Sequence, residues 1–381
     1  MAEKRTAPAV RYAEFTDAWE QRKLGELGKV FTGNTPPTAK KGNWSSDENG
    51  YVWITPTDIN ALLMSNSERH LTEKGWVKAR TIPKNSVLIT SIASIGKNAI
   101  NTVPAAFNQQ INAIVPEGND AYFILSAMEK DTARFAGIAG QTATPIINKT
   151  GFEAFAIFVP SYIEQKEIGT LFADLDRLLT LHQCELKKLQ NMKKALLEKM
   201  FPCKSVSAPE IRFAGFMDAW EQRKLGDILN TYSFKPYLKE PKNNGDYEVI
   251  QQGDRPVIGF ADGNPFTDYQ AVTLFGDHTV SLYKPNKPFF VATDGLKILG
   301  ADGMEGNFFF TLLERYKPEP QGYKRHFAIL ANQSAWVTYN TDEQQKIGTL
   351  FMSLDRLLTL HQRALKKLQN MKKALLEKLF V

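Results

Sequence analysis

Apolar residues recur at steps of three and four along two long stretches of this chain. In the first, Ile168, Phe172, Leu175, Leu179, His182, Leu186, Leu189, Met192, Leu196 and Met200 mark one face, with no glycine after Gly169 and no proline before Pro202. That spacing predicts one unbroken amphipathic helix over 164–201, stopped by the proline. In the second, Ile347, Phe351, Leu354, Leu358, His361, Leu365, Leu368, Met371, Leu375 and Leu379 repeat the pattern over 343–381. Stripes sustained this long imply helix against helix. At 1.5 Å per residue, about 36 residues reach roughly 54 Å, the dimension of a strut.

Elsewhere the periodicity is short. Tyr51–Ile54, Ser86–Thr90 and Asn112–Pro116 predict strands bounded by turn residues, and Tyr122, Leu125, Met128 and Phe135 predict a helix over 119–135. Further on, Gln270–Phe275, Pro288–Ala292 and Lys297–Leu299 predict strands, and a helix opens between Asn307 and Leu313. The expected class is α+β. Two globular domains, 1–163 and 202–342, are each followed by a long helix, 164–201 and 343–381.

The chain also repeats itself. Residues 11–27 return at 212–228 with 12 of 17 positions identical, and 164–201 return at 343–380 with 31 of 38 identical. No register aligns 28–163 with 229–342 over any length. A duplicated frame therefore surrounds two unlike inserts. Two equal copies in one chain close most simply about a pseudo-twofold axis, with the two helices as an antiparallel coiled-coil pair and one insert at each end. Parallel pairing would oblige the second insert to travel back along the whole strut. Trp19 and Trp220, at matching positions of the frame, are expected to anchor each insert by core packing. His182 and His361, in the seam, are expected to form a polar layer that fixes register.

Composition narrows the class. Of 381 residues, 43% are apolar and 23% charged, ordinary globular usage that excludes a disordered chain. No apolar run is long enough to span a membrane, and the opening Met1-Ala2-Glu3-Lys4-Arg5 carries no secretory core, so a soluble cytoplasmic protein is expected. Cys184 and Cys203 alone make neither a disulfide framework nor a metal site. The net charge of +6 admits an anionic partner, yet +5 of it falls in 343–381, where eight Lys and Arg face three Asp and Glu.

Catalytic signatures are missing. Ser94-Ile95-Gly96-Lys97-Asn98 lacks the leading glycine and the Ser or Thr of a phosphate loop. Asn264-Pro265-Phe266 lacks the second proline and the glycine-rich strand of an amino-methyltransferase motif. The five histidines are scattered, and Cys184 becomes Arg363 in the second copy, so neither a catalytic nor a metal site is expected. What stands out is polar: Lys97, Asn98, Asn108, Gln109, Gln110 and Asn112 in the first insert, and Gln251, Gln252, Arg255, Asp277, His278, Thr279, Lys297, Tyr323, Lys324 and Arg325 in the second. Side-chain amides can pair with adenine edges, and basic groups with guanine or phosphate.

The ordered set of motifs resembles the specificity subunit of type I restriction–modification systems. Each insert is led by Trp-Glu-Gln-Arg-Lys-Leu-Gly and followed by Glu-Gln-x-x-Ile-Gly-x-Leu-Phe-x-x-Leu-Asp. Gly33-Asn34-Thr35-Pro36, Ser94-Ile95-Gly96-Lys97 and Phe107-Asn108-Gln109-Gln110 fit the first insert. Leu274–Thr279 and Asp294–Leu299 fit the second. The resemblance covers essentially the whole chain. It implies two target-recognition domains, each reading one half of a bipartite site on double-stranded DNA. The helix pair would be the ruler between the halves and the dock for two methyltransferase subunits. S-adenosylmethionine would belong to those subunits, ATP and Mg to restriction subunits, and no cofactor or catalysis to this chain. Because the inserts are near neutral, the methyltransferase subunits would supply much of the phosphate contact. Two other readings remain open: a coiled-coil scaffold whose domains bind protein or carbohydrate, and a solitary enzyme.

Overall fold

The computed structural model describes residues 7–139, 145–203, 206–322 and 324–381. It divides into two units, residues 1–183 with 364–381 and residues 184–363. Five helices carry the argument: α1 (Ala121–Lys130), α2 (Tyr162–Lys199), α3 (Gly306–Tyr316), α4 (Phe327–Ala331) and α5 (Thr341–Leu379). Part of α2 and part of α5 belong to each unit. The fold is α+β.

The first unit holds two five-stranded sheets. One contains Tyr51–Ile54 parallel to Ala105–Phe107, which pairs antiparallel with Thr81–Ile82. The other contains Ile111–Pro116 between Gly28–Thr32 and Val87–Thr90, with Asn98–Asn101 next. The second unit has a four-stranded sheet around Leu296–Gly300 and Thr273–Gly276, and a three-stranded one centred on Tyr247–Ile250. The strands found lie within a residue of those expected, except that Thr273–Gly276 begins three residues after the expected Gln270. The helix expected over 119–135 is broken at Asp131, whose ψ of 10° leaves the helical region, and a short helix resumes at Thr132.

Each unit fastens its domain to the helices with the same contacts. Trp19, 2% exposed, meets Phe123 and Phe380 edge-on at 5.7 and 6.1 Å. Trp220, also 2% exposed, meets Phe201 and Phe308 at 5.5 and 6.0 Å. Glu20–Lys23 pairs with Ala156–Val159, and Glu221–Lys224 with Ser334–Val337. Arg11 grips Glu164 with two bonds of 2.7 Å, and Arg212 grips Glu343 with bonds of 2.7 and 3.0 Å. Such forked charge-assisted pairs fix orientation as well as distance.

One expectation fails here. The inserts do share a segment: Asp120–Lys130 and Glu305–Arg315 correspond. Asp120 accepts from the Phe123 N–H at 2.8 Å, and Glu305 from the Phe308 N–H at 2.7 Å, each capping its helix. Phe123 and Phe308 follow at the same step, as do Glu129 and Glu314. Function-conserving changes (Asp to Glu, Ile to Phe) hide the likeness from a comparison of letters. The caps also explain a glycine in each long helix. A Cβ on Gly169 would lie 2.2 Å from the Asp120 carboxylate, and one on Gly348 2.6 Å from that of Glu305.

Along the seam Ile168, Phe172, Leu175, Ile347, Phe351, Leu354 and Leu365 are buried, while Leu179, His182, Leu186, Leu189, Leu358, His361 and Leu368 are half-buried. Met192 and Met371 depart from the expected stripe and are exposed, at 43% and 40%. The seam holds charge instead. Lys372 Nζ lies 2.7 Å from both Asp176 and Glu129, and Lys193 Nζ contacts Asp355 and, at 2.7 Å, Glu314. Burial, with Asp176 accepting its proton at 3.0 Å, holds the Tyr122 hydroxyl well above its usual range.

Candidate nucleic-acid interface

In the first unit the strand registers bring four turns to one end. Tyr51–Ile54 and Ala105–Phe107 run parallel, so Thr55 and Asn108 leave together. Thr90 faces Ile111 and Thr32 faces Asn112, which adds the turns that begin at Ser91 and Gly33. Backbone bonds knit them: Asn34 N–H to Phe107 O at 2.9 Å and Ser91 N–H to Gln110 O at 2.8 Å.

Asn34 is the hub of this end. Its carbonyl accepts from Trp53 Nε1 at 3.1 Å, its Nδ2 donates to Lys78 O at 2.9 Å, and its Oδ1 accepts from the Arg80 N–H. Nothing in the sequence singles out its side chain for this task. Gln109 and Lys97 face solvent, and Gln109 accepts the Thr35 hydroxyl at 2.6 Å. Gln110 is half-buried.

The other amides turn inward. Asn98, 8% exposed, donates to Leu125 O at 3.2 Å. Asn108, also 8% exposed, holds the Gln110 N–H at 2.9 Å and Gln110 Oε1 at 3.1 Å. Asn112 bridges Thr32 and Ser91. These buried side chains are committed to partners within the domain, so they build the loop end and leave Gln109 and Lys97 on its surface.

The second unit gathers its candidates in the same way. Gln252 Oε1 accepts the His278 N–H at 3.0 Å, Asp277 N–H donates to Gly295 O at 2.8 Å, and Gln251 Nε2 reaches Arg255 O at 3.2 Å. Thr279 shares a 2.8 Å hydroxyl bond with Ser281, and Lys297 Nζ reaches Asp294 O at 3.3 Å. Arg255, Thr279, Lys324 and Arg325 are exposed. Tyr323 lies outside the described residues.

His326, which sequence reasoning passed over as one of five scattered histidines, organises this end. It is fully buried, its Nε2 accepts the Gln321 N–H at 2.9 Å, and its Nδ1 therefore carries the proton donated to Asp277 O at 3.0 Å. Asp277 in turn caps α4 through the Phe327 N–H at 2.8 Å. The segment bearing Lys324 and Arg325 is thereby pinned to the turn bearing His278 and Thr279.

Burial pushes the Lys284 ammonium down to about 8. Its Nζ donates to the carbonyls of Gln270 and Val272 beside the start of α3, so it serves packing and not the loop end. Among the described residues no cluster of His, Cys, Asp and Glu could hold a metal ion, and no helix is long and apolar enough to cross a membrane.

Each unit thus has a polar loop end and is fastened to its stretches of the long helices by corresponding contacts. Residues 16–191 match the family model of the type I restriction modification DNA specificity domain. It is 28% identical over 232 residues to the MjaIX specificity subunit of Methanocaldococcus jannaschii, covering 56% of this chain and 52% of that protein. A type I specificity subunit of Escherichia coli is 34% identical over 170 residues, 42% of this chain and 41% of that one. The chain thus spans about half the length of these relatives. A crystal structure of the type I S subunit from M. genitalium shares the fold, with a TM-score of 0.74 at 17% identity over 98% of this chain and 99% of that one.

Proposed function

We propose that this chain is the DNA-specificity subunit of a type I restriction–modification complex. The observation that carries the reading is the match to the specificity-domain family over 16–191, joined to a second, unlike domain set on corresponding frame contacts. Each domain reads one half of a bipartite site on double-stranded DNA through its loop end. Unlike halves need unlike surfaces, which accounts for inserts that diverge while the frame does not. The chain itself is non-catalytic and cytoplasmic. S-adenosylmethionine is held by methyltransferase subunits, and ATP and Mg by restriction subunits. The scaffold reading, with protein or carbohydrate ligands, gains no support from the similar proteins.

In this reading α2 and α5 pair antiparallel about a pseudo-twofold axis. The order of pairing along the helices supports it: Phe172 meets Phe380 while Asp176 meets Lys372, and in the other unit Lys193 meets Asp355. The exposed surface supports two copies of one partner. Arg177, Leu178, Leu181 and Met192 face solvent, and so do their identical counterparts Arg356, Leu357, Leu360 and Met371. Exposed apolar side chains kept the same in both copies suit one docking surface used twice, by two methyltransferase subunits.

Single-molecule sequencing of a genome methylated by this chain and its methyltransferase tests the reading. A motif with two unlike halves and a fixed gap is expected, and exchanging residues 28–163 should replace one half only. Unmethylated DNA in the presence of a stable complex would refute it. Inserting about one helical turn after Leu186, roughly 5 Å of added rise, should lengthen the gap and leave both halves unchanged. An unaltered gap would show that the helices do not set the distance.

A further inference from the structure

The two long helices differ on the face where one repeated partner would need them alike. Between 164–201 and 343–380 seven positions change, and five of them are Lys166/Gln345, Glu167/Lys346, Asp174/Ser353, Cys184/Arg363 and Glu185/Ala364. At 3.6 residues per turn these five fall within roughly 120° of one another around the helix, on the arc that also holds Leu178 and Leu181 of α2, or Leu357 and Leu360 of α5. It is the face turned to solvent. All of these residues are exposed except Glu185 and Ala364, which are half-buried.

The changes run in one direction. Four of the five make α5 more positive than α2, and Lys166/Gln345 alone opposes them. Arg177 and Arg356 are identical, yet Arg177 has Asp174 at 3.7 Å, whereas Ser353 offers Arg356 no carboxylate. On α2 the face sets Lys166 and Arg177 against Glu167, Asp174 and Glu185, a net charge of −1. On α5 Asp342 stands where α2 has Ile163, and it meets Lys346, Arg356 and Arg363, a net charge of +2.

The frame segment extends the contrast within each unit. In the first, Tyr12 meets Phe15 edge-on at 6.4 Å, and its hydroxyl is held above the usual range by burial and then by nearby Glu167 and Glu14. In the second, Gly215 stands in place of Glu14, and Lys346 Nζ lies 4.8 Å from the centre of the Phe216 ring. Phe213, Phe216, Lys346 and Leu350 line an open groove there. Each unit therefore sets an aromatic pair beside the start of its helix, with a carboxylate at the flank of one and an ammonium at the flank of the other.

We infer that the two leucine faces dock copies of one methyltransferase subunit with unequal, salt-dependent affinity, because α2 presents an anionic face and α5 a cationic one. The inference rests on the docking role proposed above and adds an order of assembly to it. One partner surface cannot complement both signs of charge equally. The identical leucines give the hold common to both faces, and the charges around them set the difference. A complex with a single methyltransferase copy then accumulates whenever that subunit is scarce.

Chains with one face disabled test this. L178E/L181E should leave the α5 face alone in use, and L357E/L360E the α2 face, every change falling on an exposed residue. In analytical ultracentrifugation with the methyltransferase subunit, each variant should bind one copy. Their affinities should differ roughly tenfold at about 0.1 M salt and converge at about 1 M, where the Debye length has shrunk from about 10 Å to about 3 Å. Adding K166Q/E167K/D174S to L357E/L360E copies α5 residues onto α2 and should close the gap at the lower salt. Equal affinities at the lower salt, a gap that persists at the higher, or one that the added changes leave open would overturn the inference with docking intact. So would loss of binding by both variants where the unaltered chain binds two copies, since the faces would then not act separately. Two copies bound by either variant, or none by the unaltered chain, would instead strike the docking role itself.

Discussion

Phe380→Ala should destabilise the first unit by about 3–5 kcal/mol, the usual cost of emptying a large aromatic site. Phe380 is 6% exposed and stands among Trp19, Phe123 and Phe172 at centroid distances of 6.1, 5.4 and 5.7 Å. Phe201→Ala is the matching change in the second unit, where Phe201 is 1% exposed against Trp220, Phe308 and Tyr316. Hydrogen exchange distinguishes the two. Phe380→Ala should speed exchange in α1 and spare α3, and Phe201→Ala should do the reverse. Equal acceleration of both helices by either change would mean that the rings do not serve their own units.

Lys372→Met should cost the first unit about 3 kcal/mol, the low end for breaking a buried ion pair. The loss follows from what remains: the Asp176 side chain is 10% exposed and keeps only the Tyr122 hydroxyl, and the Glu129 oxygen that faced the lysine, Oε2, is buried with no hydrogen-bond partner of its own. Adding Asp176→Asn should restore part of the loss, because the orphaned charge goes with it. Lys193→Met should cost less, about 2 kcal/mol, since Asp355 and Glu314 are 29% and 22% exposed. A Lys372→Met/Asp176→Asn protein no more stable than Lys372→Met alone would show that the cost is lost side-chain packing and not a stranded carboxylate.

Those lysines mark the limit of what the chain discloses about itself. The long helices were legible because apolar steps of three and four persist through both. The strands at Tyr51, Val87 and Ile111 were legible because short apolar runs end at turn residues. The charged seam was not. Lys193 looks like one more polar residue until its partner Glu314, 121 positions away in an insert, is brought beside it. The family motifs fall in turns at one end of each domain, but residue type alone did not tell direction. Asn98, Asn108 and Asn112 read as a ligand-facing amide cluster, yet each is committed to a buried partner, and Gln109 faces out. His326 was passed over, and Asn34 stood out only as part of a family motif, for the opposite reason: their roles lie in backbone groups that only the fold supplies.

The division of the chain has a consequence for its synthesis. The second unit is one continuous stretch, residues 184–363, and every segment of it has been translated before the last helical turns of α5 emerge. The first unit is completed only by residues 364–381, whose Lys378 carbonyl accepts the Val10 N–H at 3.0 Å and whose Phe380 closes the core around Trp19. The domain made first therefore waits longest, its apolar frame uncovered while the ribosome builds the other. A chain stalled before residue 364 would carry a finished second unit and an open first one. Its exposed Trp19 and Phe123 would make it a substrate for chaperones and proteases.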